Sequence, residues 1–442
     1  ANLPKFMEAA EAEASHVLLK LGSIDVAPES YVSVKPEKLF GRHCAILGAT
    51  GGGKSWTTAR IIEECLRYKT KIILLDATGE YRGFDGEHVA NFHLGAPVNT
   101  AKSSAPCTLP QTSFIESDFI ALFEPAGKVQ GPKLRAAIRS LRLAALAPHV
   151  ATGGIIKKID QSKVPIMTEE AKAGIAEKLD DPQQAFDVWK LVSQIEQECV
   201  YPDGFGSARG QKDFTKWGGD SGEVSFCLSL MSRINGILSS SSFECVFKSK
   251  APALTEKISS FVSNEDRLLR ICLSGVAFEF KAREIVANVI GRHLLNMARN
   301  GAFKSRPVVV IVDEAHNFLG RQIGADDAVA RLDAFELIAK EGRKYGLNIC
   351  LSTQRPRDIT EGVLSQMGTL VVHRLTNDRD REVVERACGE VDRSASSFLP
   401  NLKPGEAAII GADFPIPLTI QVFPPSAKPL SDGPNYQTNW KV

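Results

Sequence analysis

The sequence predicts an α/β fold organised around a mainly parallel sheet, and three observations predict it. Short apolar runs without polar alternation recur along the chain, as strands buried on both faces require. Helical patterns lie between many of them, and strand–helix–strand order implies parallel pairing through right-handed crossovers. A glycine-rich turn joins the first of these strands to the first of these helices. In order, the expected strands are 43–47, 71–76, 268–274, 308–313, 347–352, 369–375, 407–410 and 418–423. The expected helices among them are 54–68, 284–299, 332–342 and 379–388. Two regions break this rhythm. Residues 96–265 carry few strand signals and much helical pattern, and read as a large, mainly helical insertion. The stretch 413–442 holds Pro415, Pro417, Pro424, Pro425, Pro429 and Pro434 and reads as an extended C-terminal arm. Residues 1–35 read as an N-terminal remnant or linker, which leaves 36–95 and 266–412 as the core.

Composition excludes several classes. The 442 residues include 53 Lys and Arg against 52 Asp and Glu, a net charge of +1. No whole-chain basic excess marks a nucleic-acid binder, so any such contact rests on a local patch or on an assembly that concentrates charge. The apolar stretches fall far short of the ~20 residues a membrane helix needs, and no secretory leader pattern is seen. The first residue is Ala, so the sequence can begin partway into a longer protein. The nine cysteines are scattered without CxxC spacing. This argues against a disulfide framework or zinc ribbon and fits a reducing cytoplasm.

The strongest motif is Gly48-Ala49-Thr50-Gly51-Gly52-Gly53-Lys54-Ser55, a complete GxxxxGKS. It follows a strand and opens a helix, the context the motif requires. The glycines let backbone N–H groups wrap phosphates, and the helix N-terminus adds partial positive charge. Lys54 is expected to reach the β- and γ-phosphates, and the Ser55 hydroxyl to ligate Mg²⁺. Trp56 completes the expected nucleotide-binding segment.

A second motif supplies the acids. Residues 307–312 form an apolar run that ends in Asp313 and Glu314. Asp313 is expected to hold Mg²⁺ through water. Glu314 faces the other side of the strand and is placed to orient the attacking water in line with the γ-phosphate. The next strand ends at Gln354, which is expected beside Glu314, sensing the γ-phosphate or placing the water. Just upstream, Arg343 lies beyond the helix that follows the acids. It is expected to project into a neighbouring subunit's nucleotide, where a delocalised guanidinium suits a charge spread over phosphate oxygens. The competing role is a helix-end charge complementing the dipole.

Taken together, the segments 39–51, Leu75-Asp76-Ala77-Thr78-Gly79-Glu80-Tyr81, 312–318, 341–346, 352–356 and 403–407 resemble the HerA branch of the FtsK–HerA family of ring-shaped DNA-pumping ATPases. The resemblance covers about half of the chain. It implies a RecA-like P-loop NTPase core that hydrolyses ATP with Mg²⁺, forms a homo-oligomeric ring, hexameric in the usual case, and translocates double-stranded DNA without reading its sequence. It implies a partner, a nuclease or other effector, as in end resection or bacterial antiphage defence. It also makes Arg42, just ahead of the phosphate loop, a second candidate at the subunit interface. The alternative function is an ATP-binding ring scaffold that organises an effector and translocates little. The chain departs from the family in two ways. Only the last stretch of the N-terminal β-barrel usual in HerA proteins fits in residues 1–40, so the barrel is expected to be absent or cut off, and Lys54 and Asp313 lie farther apart than a compact core needs. For DNA, the stripe Arg135, Arg139 and Arg142 with Lys133 is the first candidate. Lys157, Lys158, Lys163, Arg209 and Lys212 are weaker ones.

Overall fold

The computed structural model describes residues 17–24, 27–205, 212–319, 321–323, 330–387, 398–430 and 440. Arg209, Cys388 and residues 1–16 lie outside them. Twelve strands form one sheet: β1 (Leu19–Ile24), β2 (Ala27–Val34), β3 (Cys44–Leu47), β4 (Ile72–Asp76), β5 (Val89–His93), β6 (Ala105–Pro106), β7 (Leu268–Cys272), β8 (Val308–Val312), β11 (Leu347–Thr353), β12 (Thr369–Val372), β13 (Glu406–Gly411) and β14 (Phe414–Val422). Two short strands, β9 (Arg321–Ile323) and β10 (Ala330–Leu332), pair separately. The order across the large sheet is β2-β1-β14-β13-β12-β3-β11-β8-β4-β7-β5-β6. From β12 to β6 every pairing is parallel, and from β2 to β12 every pairing is antiparallel.

The apolar runs become strands because both faces of the sheet are covered. Along β3, Ala45 and Leu47 belong to one buried cluster and Cys44 and Ile46 to another. The helix Lys54–Leu66 covers the second face with Ala59, Ile61, Ile62 and Cys65. The helix Ala282–Arg299 covers the first, together with Phe119, Ile138, Ile195, Ile234 and Phe261 from the region expected as an insertion. That region is mainly helical, but its core is continuous with the sheet's. Only a small satellite around Leu143, Ile156 and Leu179 packs by itself. No helix of the described residues is long and apolar enough to cross a membrane.

Both ends of the chain differ from expectation. The hairpin β1–β2 extends the sheet, so residues 19–34 are not a linker. Residues 414–422, expected as an arm, are β14, clamped between β13 and β1. The prolines that suggested an arm sit where the ladder tolerates them. β1 pairs with β14 only at Gln421 and Val422, and the β13–β14 register shifts between Ile409 and Gly411, so Pro415 and Pro417 fall in a stretch that β1 leaves unpaired. β5 was missed because Asn91 and His93 break its apolar run. Asn91 is buried, and its amide donates to the Phe84 carbonyl and to Ser103 Oγ.

Candidate active site

The phosphate loop leaves β3 at Leu47 and enters the helix Lys54–Leu66. Gly51 (φ 75°) and Gly53 (φ 112°) hold left-handed backbone that side chains resist. Gly53 occupies the helix cap and no side chain caps the helix. The first-turn N–H groups are thus left for an anion, which the helix dipole favours. Ala49 N–H donates to the Arg374 carbonyl and Gly52 N–H to the Ala49 carbonyl, closing the loop on itself and on β12. Lys54 is almost wholly buried.

β8 lies two strands from β3, with β11 between them. Their C-terminal ends therefore bring Asp313, Glu314 and Gln354 to the loop. Asp313 is buried. Tyr81 Oη donates weakly to its Oδ1 at 3.4 Å, and Oδ2 has no partner among the described residues. Burial, reinforced by the charges of Asp76, Glu314 and Glu80, pushes the Asp313 carboxyl well above the usual range, against the pull of Lys54. Burial likewise raises Glu314, Lys54 opposes it, and Glu80 adds to it. Acids crowded in this way favour a divalent cation among them, and an orphaned carboxylate oxygen beside a phosphate loop fits Mg²⁺. Glu314 also sits in left-handed backbone (φ 48°, ψ 45°), the kind of strained conformation that clusters at active sites. Its Oε2 lies 3.3 Å from His316 Nδ1, which itself meets Thr353 Oγ1 at 3.2 Å. Gln354 Oε1 accepts from Thr50 Oγ1 at 2.6 Å, and the Gln354 carboxamide beside Glu314 pulls that carboxyl down against burial.

The cleft between these parts has a volume of about 840 Å³. Thr50, Gly51, Gly53, Lys54, Ser55 and Trp56 form its floor. Glu80, Glu314 and Gln354 line it too, as do Pro404, Gly405, Gln421 and Pro424 from the end of the chain. Of the loop positions, Gly48, Ala49 and Gly52 stand behind this surface.

Several site residues carried no role in the sequence. Glu80 projects from a loop organised by Asp76, whose carboxylate accepts from the N–H groups of Gly79 (2.7 Å), Glu80 (3.2 Å) and Tyr81 (3.1 Å). Asp76 also pairs with Arg270 Nε at 2.7 Å, both side chains being fully buried. An acid ending a parallel strand just before Thr-Gly-Glu was the available signal. His373, at the end of β12, is fully buried against the phosphate loop. A polar residue closing the strand next to β3 was its signal.

Arg343 and Arg42 do not join this cleft. Arg343 lies in the turn Gly342–Tyr345 ahead of β11, and Arg42 lies ahead of β3. Both are exposed at the end of the sheet where the parallel strands begin. The seven residues of β11 at ~3.3 Å each separate that end from the cleft by about 20 Å. Neither arginine reaches phosphates held in its own chain.

The basic stripe divides between exposed and buried members. Arg135 pairs with Glu116 at 3.0 Å and Arg139 with Asp180 at 2.7 Å. Arg142 is buried and donates to the carbonyls of Leu179 and Pro182. Lys133 pairs with Glu223 (2.7 Å), Lys158 with Glu198 (2.6 Å) and Lys212 with Asp203 (3.0 Å). Lys163 donates to the carbonyls of Pro202 and Phe214. A helical stripe of arginines reads the same whether it meets DNA or neighbouring acids. Here Arg135 and Arg139 pair with acids while staying exposed, and Arg142 is buried on backbone carbonyls. Lys157 alone of this group is exposed with no ion pair to a described residue.

A phosphate loop opening a helix, two acids ending the strand two places away and a polar residue on the strand between them define a P-loop ATPase. The family model DUF87, helicase HerA, central domain, matches residues 19–190. The chain is 22% identical over 408 residues to a probable helicase, MJECL08, of Methanocaldococcus jannaschii, covering 91% of this chain and 70% of that one. It is 23% identical over 404 residues to the DNA double-strand break repair helicase HerA of Saccharolobus solfataricus, covering 91% and 68%. Among solved structures, the bacterial conjugative coupling protein TrwBdeltaN70 superposes with a TM-score of 0.53 at 14% identity, over 95% of this chain and 91% of that one. TrwB also superposes in complex with a non-hydrolysable ATP analogue, with a TM-score of 0.50 at 16% identity over 97% and 95%. The fold is the RecA-like one, and the chain is a P-loop ATPase similar to HerA helicases.

Proposed function

We propose that the chain is one subunit of a hexameric, ATP-driven motor that moves along double-stranded DNA and serves a nuclease or other effector. The observation that carries this reading is the placement of Arg42 and Arg343. An ATP site complete but for an arginine, with two exposed arginines at the opposite end of the same sheet, suits subunits stacked head to tail around a ring. Lys54 then holds the β- and γ-phosphates, and Ser55 and Asp313 hold Mg²⁺, which neutralises phosphate charge when bound. Glu314 takes a proton from the attacking water, and Gln354 keeps Glu314 in line. Arg343 of the neighbour meets the charge that develops on the γ-phosphate.

Arg343→Ala tests this directly. Fingers of this kind are worth about 10³–10⁵ in rate, so ATP binding should persist and turnover collapse. Mixing this variant with Lys54→Ala subunits should restore some activity, because some interfaces then pair an intact loop with an intact finger. Near-normal turnover by Arg343→Ala alone rejects the assignment.

One observation favours the second reading, a ring scaffold that translocates little. The most suggestive basic stripe is engaged inside the subunit. Duplex DNA that raises ATPase activity in a salt-sensitive way supports the motor. A ring that binds its effector and ignores DNA supports the scaffold.

A further inference from the structure

We propose that His373 is a positioning residue of the ATP site, a ring that locks the phosphate loop and its helix to the Pro404–Gly405 wall of the cleft. The inference rests on the ATPase reading of the same site and adds to it a residue lying behind the nucleotide.

His373 follows β12, the strand beside β3. Its N–H donates to the Leu47 carbonyl at 2.7 Å, where the loop begins. The ring is fully buried, and both nitrogens are engaged. Nδ1 lies 2.7 Å from the Glu406 carbonyl. A carbonyl only accepts, so Nδ1 carries a hydrogen. Nε2 lies 2.8 Å from Thr57 Oγ1. Burial, with Lys54 nearby, pushes the ring down to about 4, so it is neutral near pH 7 and Nε2 is an acceptor. Thr57, in the first turn of the loop's helix, therefore donates to it.

Steric fit makes the same connection. A Cβ at Gly48 would stand 2.6 Å from His373 Cβ, one at Gly52 3.4 Å from it, and one at Gly53 3.2 Å from the ring. Three glycines of the loop thus make room for this side chain as well as for phosphates. On its far side the ring holds Glu406, whose carboxylate accepts from Lys403 N–H at 2.7 Å and so closes the turn carrying Pro404 and Gly405. Gly405 in turn lies against Gly53, its Cα 3.3 Å from where a Cβ there would stand. One imidazole joins the loop and its helix start to the cleft wall, which lies far away in sequence.

The experiment compares Thr57→Val, Thr57→Ser and His373→Gln in the full chain, with the affinity of a fluorescent ADP analogue and the steady-state constants for ATP as readouts. Thr57→Val keeps the shape and removes the donor. Its ADP Kd and ATP KM should rise roughly tenfold, as the loss of one buried hydrogen bond allows, while kcat stays within about threefold. Thr57→Ser keeps the donor and should bind like the parent. His373→Gln should resemble Thr57→Val. Unchanged binding in Thr57→Val, or equal losses in Val and Ser variants, overturns the proposal, as does a fall in kcat at constant KM. If His373→Gln fails to fold, the Thr57 pair still decides. If the parent binds ADP yet does not hydrolyse ATP, the ATPase reading fails while the binding titrations still judge His373.

Discussion

Thr50, in the phosphate loop, donates its hydroxyl to Gln354 Oε1 at 2.6 Å across 304 positions of sequence. The same carboxamide stands beside Glu314 and favours its charged form. One amide thus stands between the loop and the acid proposed to orient the attacking water. Thr50→Val should leave nucleotide affinity within about threefold and cut kcat by roughly 10–100-fold, since an unanchored base loses its line of attack. Steady-state kinetics beside equilibrium binding would show it. A rise in KM at constant kcat would mean that Thr50 serves binding alone.

Glu314→Gln and Lys54→Ala should fail differently. The first keeps the shape and the cation that hold phosphates, so ATP stays bound while turnover falls by about 10²–10⁴. The second removes that cation, so binding and turnover are both lost. Filter binding with radiolabelled ATP separates the two. Normal hydrolysis by Glu314→Gln would assign the water to another group.

The buried Asp76–Arg270 pair should be costly to halve. Arg270→Met leaves a carboxylate with three N–H donors and no countercharge in the interior. Loss of one member of such a pair destabilises by about 3–5 kcal/mol. The loop bearing Glu80 should loosen as well. Urea unfolding would read the first effect, and Asp76→Asn, which keeps an acceptor for those N–H groups, should be milder than Asp76→Ala.

Acid should weaken the fold in part through His43. Ile349 N–H donates to its Nδ1 at 3.1 Å, and burial pushes the ring down to about 4. The folded state then resists a proton that the unfolded chain accepts near pH 6.5. Stability is full above that value and declines as pH falls toward 4, by up to roughly 3 kcal/mol. His373 acts in the same direction, while the raised Asp313 and Glu314 act in the opposite one. His43→Asn isolates the contribution, because Asn tolerates the left-handed backbone there (φ 65°) and can offer an acceptor to Ile349. Its unfolding free energy should depend less on pH across this window. An unaltered slope would place the titration elsewhere.

Most of the parallel sheet, and the meeting of the phosphate loop with Asp313, Glu314 and Gln354, were legible because phosphate chemistry needs glycines, a lysine and paired acids at fixed offsets from strands. Strands buried on both faces announce themselves by unbroken apolar runs such as 72–75 and 308–312. What escaped depended on partners remote in sequence. Asn91 and His93 look like loop residues until Phe84, Ser103 and Ser104 are seen to satisfy them. Pro415 and Pro417 look like an arm until the unpaired stretch beside them is known. Arg142 looks like a DNA contact until the carbonyls of Leu179 and Pro182 surround it. His373 had no motif at all, because its role is defined by Gly48, Thr57 and Glu406 together.

β3 carries the phosphate loop, yet Cys44 finds its neighbours at Cys350 and Thr369, and the cleft is walled by Gly405 and Gln421. On the ribosome, the loop would emerge early with both edges of its strand bare. It would wait through the synthesis of the whole helical region before either side is covered. Such delays slow folding and expose strand edges to other chains. A nascent chain halted before β14 would display the full GxxxxGKS signature and still lack the Gln421 and Pro424 side of the cleft.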